Sequence, residues 1–349
     1  MSSHPQIAAE TEAVLMTVAA ILGHSIESAT PVMRGGNNRL YQIRCANKTY
    51  AAKFYPVNKE DPRDRLGTEY DGLSFLHHMK TTMVPRPIGQ SRRDNCAVYE
   101  WIEGQPFELV CSDDIDAALA FVDALQKIER SGDALKVPMA SEACMSAMTV
   151  CRQIETRLDM LRDAARRNAL LSDYLTNAFI PAFSKITRWS QQTYQAAELT
   201  FSKPINDMLA TLSPSDFGFH NALKRPDGAI VFLDFEYFGW DDPVKLTCDF
   251  ILHPGMELGE NMKHHFVKGM NTIFANDEKF RTRMKALYPL YGLRWCMILL
   301  NEFQMDRWKQ RAYAGIHQDL AAAQSRQLAK AEALLSKTLR TFEGYPYGA

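Results

Sequence analysis

The chain has 349 residues, 46% of them hydrophobic and 23% charged, which is enough for a sizeable buried core in a globular protein of one large bilobal unit or two domains. Its 40 Lys and Arg against 41 Asp and Glu leave a net charge of −1, which excludes a strong basic field and, with it, nucleic acid as a main partner. Its seven cysteines are odd in number, scattered and without a Cys-x-x-Cys pair, so they read as reduced thiols with no support for a zinc site.

Residues 6–23 place Val14, Leu15, Val18, Ile21 and Leu22 at helical spacing, which predicts an amphipathic helix packed on a first lobe. Its only charges are Glu10 and Glu12, so it has neither the basic region of a secretory leader nor the Lys/Arg face of a membrane-surface helix. No apolar run reaches the roughly 18 residues needed to span a bilayer. A cytoplasmic protein with no membrane partner is expected.

Val32 to Ile43 then reads as strand, turn, strand. Gly35 and Gly36 serve either a plain hairpin turn or a loop whose backbone N–H groups approach phosphates. Residues 48–55 read as the next strand. Lys53 lies there between Ala52 and Phe54, and a lysine in a mostly buried strand needs an anionic partner; the alternative is the solvated face of an edge strand. Alternation puts Ala51 and Tyr55 on the face of Lys53, and the small Ala51 leaves room for a flat ring. Residues 61–79 carry Leu66, Leu73 and Leu76 at helical spacing, with Glu69 and Asp71 on the same helix. Two further strands follow, the second ending in Glu103-Gly104-Gln105-Pro106, where Gly flexes and Pro stops pairing. This marks a boundary between a strand-rich domain, 1–103, and a second domain, 104–349. From Ser112 the pattern is helical. Ser112 or Asp113 caps a helix bearing Ile115, Leu119, Val122 and Leu125, and helical runs follow near 140–168, 172–196 and through 256–349.

The stretch from Leu212 to Glu236 interrupts the helices. Pro226-Asp227-Gly228 between two apolar runs is a hairpin turn. With Asp227 and Gly228 as its centre, Asn221 faces Asp234, and directly opposed Cβ atoms lie roughly 4.5–5.5 Å apart. An amide oxygen beside a carboxylate suits a hard cation such as Mg²⁺. Asp216 stands five residues before Asn221, in a loop broken by Pro214 and Gly218, and is expected to reach the same cleft as a base. Asp242-Pro243 is a helix start, so Asp242 reads as a cap.

Ser215-Asp216-Phe217-Gly218-Phe219-His220-Asn221, with Phe232-Leu233-Asp234-Phe235-Glu236 after it, resembles the aminoglycoside phosphotransferase/choline kinase family. That family carries His-Gly-Asp-x-x-x-x-Asn and then Ile-Asp-Trp/Phe-Glu; here Pro214 and Ser215 stand where it has His and Gly. The resemblance implies an α+β, bilobal protein-kinase-like fold, with a small β-rich N-lobe and a large, mainly helical C-lobe. It implies ATP and Mg²⁺ as cofactors. Ala51 and Lys53 would contact the adenine and the phosphates, and Glu69 would pair with Lys53, with Asp71 as the rival. The backbone of Glu100 to Ile102 would read the adenine edge as a hinge. Asp216 would be the catalytic residue, Asn221 and Asp234 the Mg²⁺ ligands, and Asp249 a brace for the catalytic loop.

The expected reaction is transfer of the γ-phosphoryl of ATP to a hydroxyl of a small metabolite, a sugar or amino alcohol being favoured because the second lobe is not conspicuously acidic. An aminoglycoside phosphotransferase is one alternative. A non-catalytic nucleotide-binding or scaffold protein of kinase-like fold is another, supported by Pro214. Glu257, Glu260, Asp306, Trp240, Trp295 and Trp308 either line a substrate site or serve ordinary packing.

Overall fold

The structure, a computed structural model, describes residues 4–32, 38–46, 48–57, 63–304 and 319–348. The described residues form two compact units, one drawn from 1–107 and 221–238, the other from 108–220, 239–308 and 318–349. Gly35, Gly36, Asp306 and Trp308 lie outside the described residues.

The first unit opens with helix α1 (His4–Leu22) and continues as strands β1 (Ser28–Val32), β2 (Arg39–Cys45) and β3 (Lys48–Phe54), helix α2 (Arg65–His78), and strands β4 (Pro87–Ser91) and β5 (Cys96–Glu100). The strands make one antiparallel sheet in the order β1-β2-β3-β5-β4. Period two sorts its faces. Tyr41, Ile43, Cys45, Ala52, Cys96 and Val98 point one way and bury Val14 and Val18 of α1 in one core cluster, with Ile21 and Leu22 packed against it. Each such aliphatic side chain contributes about 1.5–3 kcal/mol by leaving water. Gly89 of β4 lets Ile21 approach, since a Cβ there would stand 2.7 Å from its Cγ2. The other face of the sheet carries Ala51 and Lys53.

Beyond Phe107 the chain is mainly helical: α3 (Ser112–Gln126), α4 (Ala147–Ala165), α5 (Ala169–Asp173), a π-helical turn over Tyr174–Phe179, and α6 (Ile180–Ala196). Strand β6 (Thr211–Ser213) follows, then the hairpin β7 (Ala222–Lys224) and β8 (Ile230–Phe232) of the first unit, then β9 (Gly239–Asp241). Helices α7 (Pro243–Leu252), α8 (Glu260–Ile273), α9 (Phe280–Leu299) and α10 (Leu320–Thr341) complete the described chain. Helix α9 is buried nearly all round and packs against α4, α6, α7 and α10. Its two buried arginines are compensated, Arg283 by Asp242 and Asp277, Arg294 by Glu142 and Asp249. Among the described residues no helix is long and apolar enough to cross a membrane.

Two local expectations need correction. Helix α3 is capped by Cys111, not by Ser112 or Asp113, because the Asp114 carboxylate accepts the Cys111 N–H at 3.0 Å and closes a capping box one residue earlier. The hairpin is out of the expected register by one. Ala222 pairs with Phe232 and Lys224 with Ile230, so Asn221 faces Leu233, whose N–H it accepts at 2.7 Å, and not Asp234. The cause is the turn. Gly228 adopts φ +87°, its N–H binds the Arg225 carbonyl, and the Arg225 N–H binds Ala229. That is a three-residue loop with a left-handed Gly bulge, which centres the hairpin on Asp227.

All seven cysteines are free; six are buried and Cys111 is exposed.

Candidate active site

In the first unit, Lys53 retains 12% side-chain exposure on the face of β3 opposite the core. Its Nζ lies 2.6 Å from Glu69 Oε2 and 2.5 Å from Asp234 Oδ1. Glu69 is held on α2, whose cap Asp64 accepts the Gly67 N–H at 2.8 Å. It also accepts the Tyr55 hydroxyl at 2.8 Å, and Tyr55 meets the Tyr99 hydroxyl at 2.7 Å. Asp71, by contrast, is exposed and lies 3.6 Å from Arg92. Glu236, fully buried, accepts from Arg65 Nη1 and Asn38 Nδ2, both at 2.8 Å.

Carboxylate oxygens of Glu69, Asp234 and Glu236 lie within 4.8 Å of one another. Among the described residues two cations, Lys53 and Arg65, pair with these three carboxylates. Burial disfavours the Lys53 ammonium, but Asp234, Glu69 and Glu236 outweigh that and hold its pKa well above the ordinary value. Burial also disfavours the Glu236 carboxylate, but Lys53, Arg65 and Asn38 outweigh that and hold its pKa low. Asp234 goes the other way. Burial pushes its carboxyl up against the pull of Lys53, and Glu236 and Glu69 add to the rise. Its charge is therefore under-compensated, although 29% of its side chain reaches solvent. An accessible, under-compensated carboxylate fits a hard, oxygen-seeking cation such as Mg²⁺, while Asn221, the other expected ligand, stands opposite Leu233 in the hairpin. Asp234 has φ +66°, a left-handed conformation uncommon outside Gly and costly enough to mark functional sites.

The remaining predicted residues of this unit are placed as follows. Ala51 pairs with Gln42 and Tyr99 on the face of Lys53. Glu100 pairs with Tyr50, its carboxylate accepts Arg225 Nη2 at 3.1 Å and the Arg86 N–H at 3.3 Å, and its own N–H donates to the Arg86 carbonyl at 2.8 Å. Ile102 is buried against Leu223 and Val231 of the hairpin.

In the second unit, β6 pairs with β9 and delivers the loop that carries Asp216. The Asp216 N–H binds the Pro214 carbonyl at 2.9 Å across Ser215, whose φ is +69°. This is a γ-turn of the rare, strained hand. Lys245 of α7, wholly buried, fixes it. Its Nζ donates to Ser215 Oγ at 2.9 Å and lies 3.0 Å from Asp241 and 3.2 Å from Asp249. Asp249 in turn accepts from Arg294 and from Trp295 Nε1. Phe217 packs on Phe121 and Phe250, and Phe219 on Phe250, so alternate residues anchor the loop in the core. The Phe219 N–H meets Met256 Sδ at 3.2 Å. A Cβ at Gly218 would stand 2.3 Å from that sulfur and 2.8 Å from His220 Nδ1, so glycine there lets both side chains close on the loop.

The Asp216 carboxylate is met by two imidazoles. His220 Nε2 lies 3.1 Å and His253 Nε2 3.5 Å from Oδ1. The rings are stacked, with centroids 3.6 Å apart and planes 6° from parallel, and Trp295 meets His253 edge-on. Asp216, His220 and His253 have the composition of a metal site. Their ligand atoms lie within 4.8 Å of one another, and both Nε2 atoms are turned to Asp216 Oδ1. Burial, then His220, pushes the His253 pKa down to about 4, so the ring is neutral at neutral pH. Sequence reasoning missed Glu236, Lys245, His220 and His253. Glu236 was within reach, two residues beyond Asp234; His253 is 37 residues from Asp216 and carries no pattern. Trp240 is core, its Nε1 bound to the Ala134 carbonyl, and Glu260 binds Lys263, Lys337 and Tyr347.

No protein-family model matches the chain, and no curated protein matches it in sequence. Solved structures do match. A spectinomycin phosphotransferase, APH(9)-Ia, in complex with ADP and spectinomycin superposes with TM-score 0.63 at 12% identity, covering 94% of this chain and 98% of that one. The choline kinase LicA from Streptococcus pneumoniae gives 0.58 at 15%, covering 94% and 99%. A Plasmodium vivax ethanolamine kinase gives 0.56 at 12%, covering 90% and 83%. A five-stranded antiparallel sheet with its helix, followed by a mainly helical unit, is thus the α+β, protein-kinase-like fold of the aminoglycoside phosphotransferases and the choline and ethanolamine kinases.

Proposed function

We propose that the protein is an ATP-dependent phosphotransferase acting on a hydroxyl of a small metabolite, a sugar or amino alcohol. The observation that carries this reading is Lys53, held at once by Glu69 and by the under-compensated Asp234. An ammonium fixed between carboxylates from two separate elements is preorganised to meet phosphate oxygens without reorganising. Asp234 and Asn221 would hold Mg²⁺, which supplies positive charge to the phosphate oxygens when bound. Ala51 leaves space for the adenine, and the backbone from Glu100 to Ile102 reads its edge. Asp216 accepts the proton of the acceptor hydroxyl as that oxygen bonds to the γ-phosphorus and the bond to ADP breaks. The known kinases of this fold whose names state choline and ethanolamine act on small hydroxyl compounds, in keeping with this acceptor class.

The test is ADP release from Mg·ATP across a panel of sugars and amino alcohols, with nucleotide binding followed by thermal denaturation. Asp216→Ala is expected to bind nucleotide and lose turnover. Turnover preserved in that variant, or no thermal shift of the wild type at millimolar Mg·ATP, overturns the reading.

A further inference from the structure

The reading above gives Asp216 its role but leaves two side chains unaccounted for. His220 and His253 come from different elements, the catalytic loop and the C-terminal end of α7, and meet as a parallel stack beside the carboxylate. Their partners assign their protons. The Gly255 N–H donates to His253 Nδ1 at 3.1 Å, so the proton of that neutral ring is on Nε2, the nitrogen turned to Asp216. A carboxylate accepts only, so His220 Nε2 donates to Oδ1. His220 Nδ1 is buried with no hydrogen-bond partner among the described residues. Leaving a polar ring nitrogen buried and unpaired is costly, so the ring is not placed for its own satisfaction. It is placed by the stack and by Asp216.

We propose that His220 and His253 are positioning residues for Asp216: a stacked imidazole pair that presents two Nε2–H groups to one carboxylate oxygen and fixes the rotamer in which the carboxylate meets an acceptor hydroxyl. This rests on the reading of Asp216 as the base. The stack is what makes the pair effective. At 3.6 Å the two rings restrict each other's rotation, and Trp295 edge-on to His253 closes its outer side. A single histidine on a γ-turn loop would swing with the loop; the second ring ties it to α7. The chain places Pro214 where the family pattern has its histidine, and these two imidazoles lie on the other side of the aspartate in sequence.

The test uses the intact protein with Mg·ATP and water as the acceptor, reading ADP release. Side-chain ¹⁵N resonances of the histidines are measured alongside. His220→Phe and His253→Phe keep ring shape and stacking and remove the N–H. Each is expected to lower kcat about 10-fold or more while the KM for ATP stays within about twofold, since misplacing a reacting group costs turnover, not nucleotide affinity. His220→Gln, which restores an N–H donor, is expected to recover part of the loss. In the wild type both rings should show a protonated Nε2 and a bare Nδ1, and both Nε2 signals should move in Asp216→Ala. Unchanged kcat in both Phe variants, a rise in ATP KM alone, or Nε2 signals indifferent to Asp216→Ala overturns the proposal. Asp216→Ala in the same ADP assay separates the two readings. Full activity there removes the base itself, whereas loss there with unimpaired histidine variants removes only the clamp.

Discussion

The Nζ of Lys53 lies 2.6 Å from Glu69 Oε2 and 2.5 Å from Asp234 Oδ1, so one ammonium neutralises carboxylates from α2 and from the segment after β8. Lys53→Met leaves Glu69, Asp234 and Glu236 with Arg65 as the remaining cation paired to them among the described residues. Removing one partner of a buried pair costs about 3–5 kcal/mol; with Asp234 partly in solvent, about 2–3 is expected at pH 8. The remaining carboxyls then bind protons more tightly folded than unfolded. A raised folded pKa means stability is regained as pH falls toward the ordinary carboxylate range, so the deficit should shrink by pH 5. Urea denaturation at both pH values checks this, and a deficit independent of pH would count against it.

Asp234→Asn separates charge from backbone. Asn tolerates the left-handed φ of +66°, whereas Ala adds strain of roughly 1 kcal/mol or more. Wild type with Mg·ATP at about 100 times its dissociation constant should gain about 2.7 kcal/mol. In Asp234→Asn the Mg²⁺-dependent part of that gain should vanish while the ligand-free protein keeps its stability. Thermal denaturation with and without EDTA reads both, and a Mg²⁺-dependent gain that survives sinks the metal assignment.

His253 makes folding sensitive to mild acid. Burial and His220 lower its folded pKa from 6.5 to about 4, so as pH falls through 6.5 the unfolded chain takes up the proton first. Stability from this group is intact above 6.5 and declines down to about 4, by about 3 kcal/mol in all. His253→Phe should flatten the stability profile in that window. Chemical denaturation at half-unit steps from pH 7 to 4 measures it; an unaltered slope means the imidazole titrates normally.

Gly239 sits in β9 with no room for a side chain. A Cβ there would stand 2.5 Å from the Ala140 nitrogen and the Pro138 carbonyl oxygen, atoms of backbone that cannot rotate away. Gly239→Ala should therefore cost about 3 kcal/mol or more, within the range of severe packing errors. Because β9 pairs with β6, the loop bearing Asp216 should loosen as well. Hydrogen exchange at residues 213–220 would show it, and wild-type protection there would refute the coupling.

What was legible in the sequence is what depends on near neighbours. The succession of strands along the first unit follows from alternation and turn residues, and the need of Lys53 for an anion follows from Ala52 and Phe54 beside it. The hairpin was legible as a hairpin, but its register turned on whether Gly228 closes a two- or a three-residue loop, a single dihedral that Pro-Asp-Gly leaves undecided. Strands β6 and β9, three residues each, are too short to show a period. The contacts of Asp216 with His253, of Lys245 with Ser215 and of Asp249 with Arg294 join segments 30 to 45 residues apart, and nothing local announces them.

Six of the seven thiols are sealed in the interior, and Cys111, just ahead of α3, is the one that faces solvent. The unaltered chain thus carries a single handle for a maleimide dye or a spin label. One further cysteine, introduced on the sheet of the first unit, would complete a pair of probes and turn the separation of the two units, with and without nucleotide, into a distance that can be read in solution.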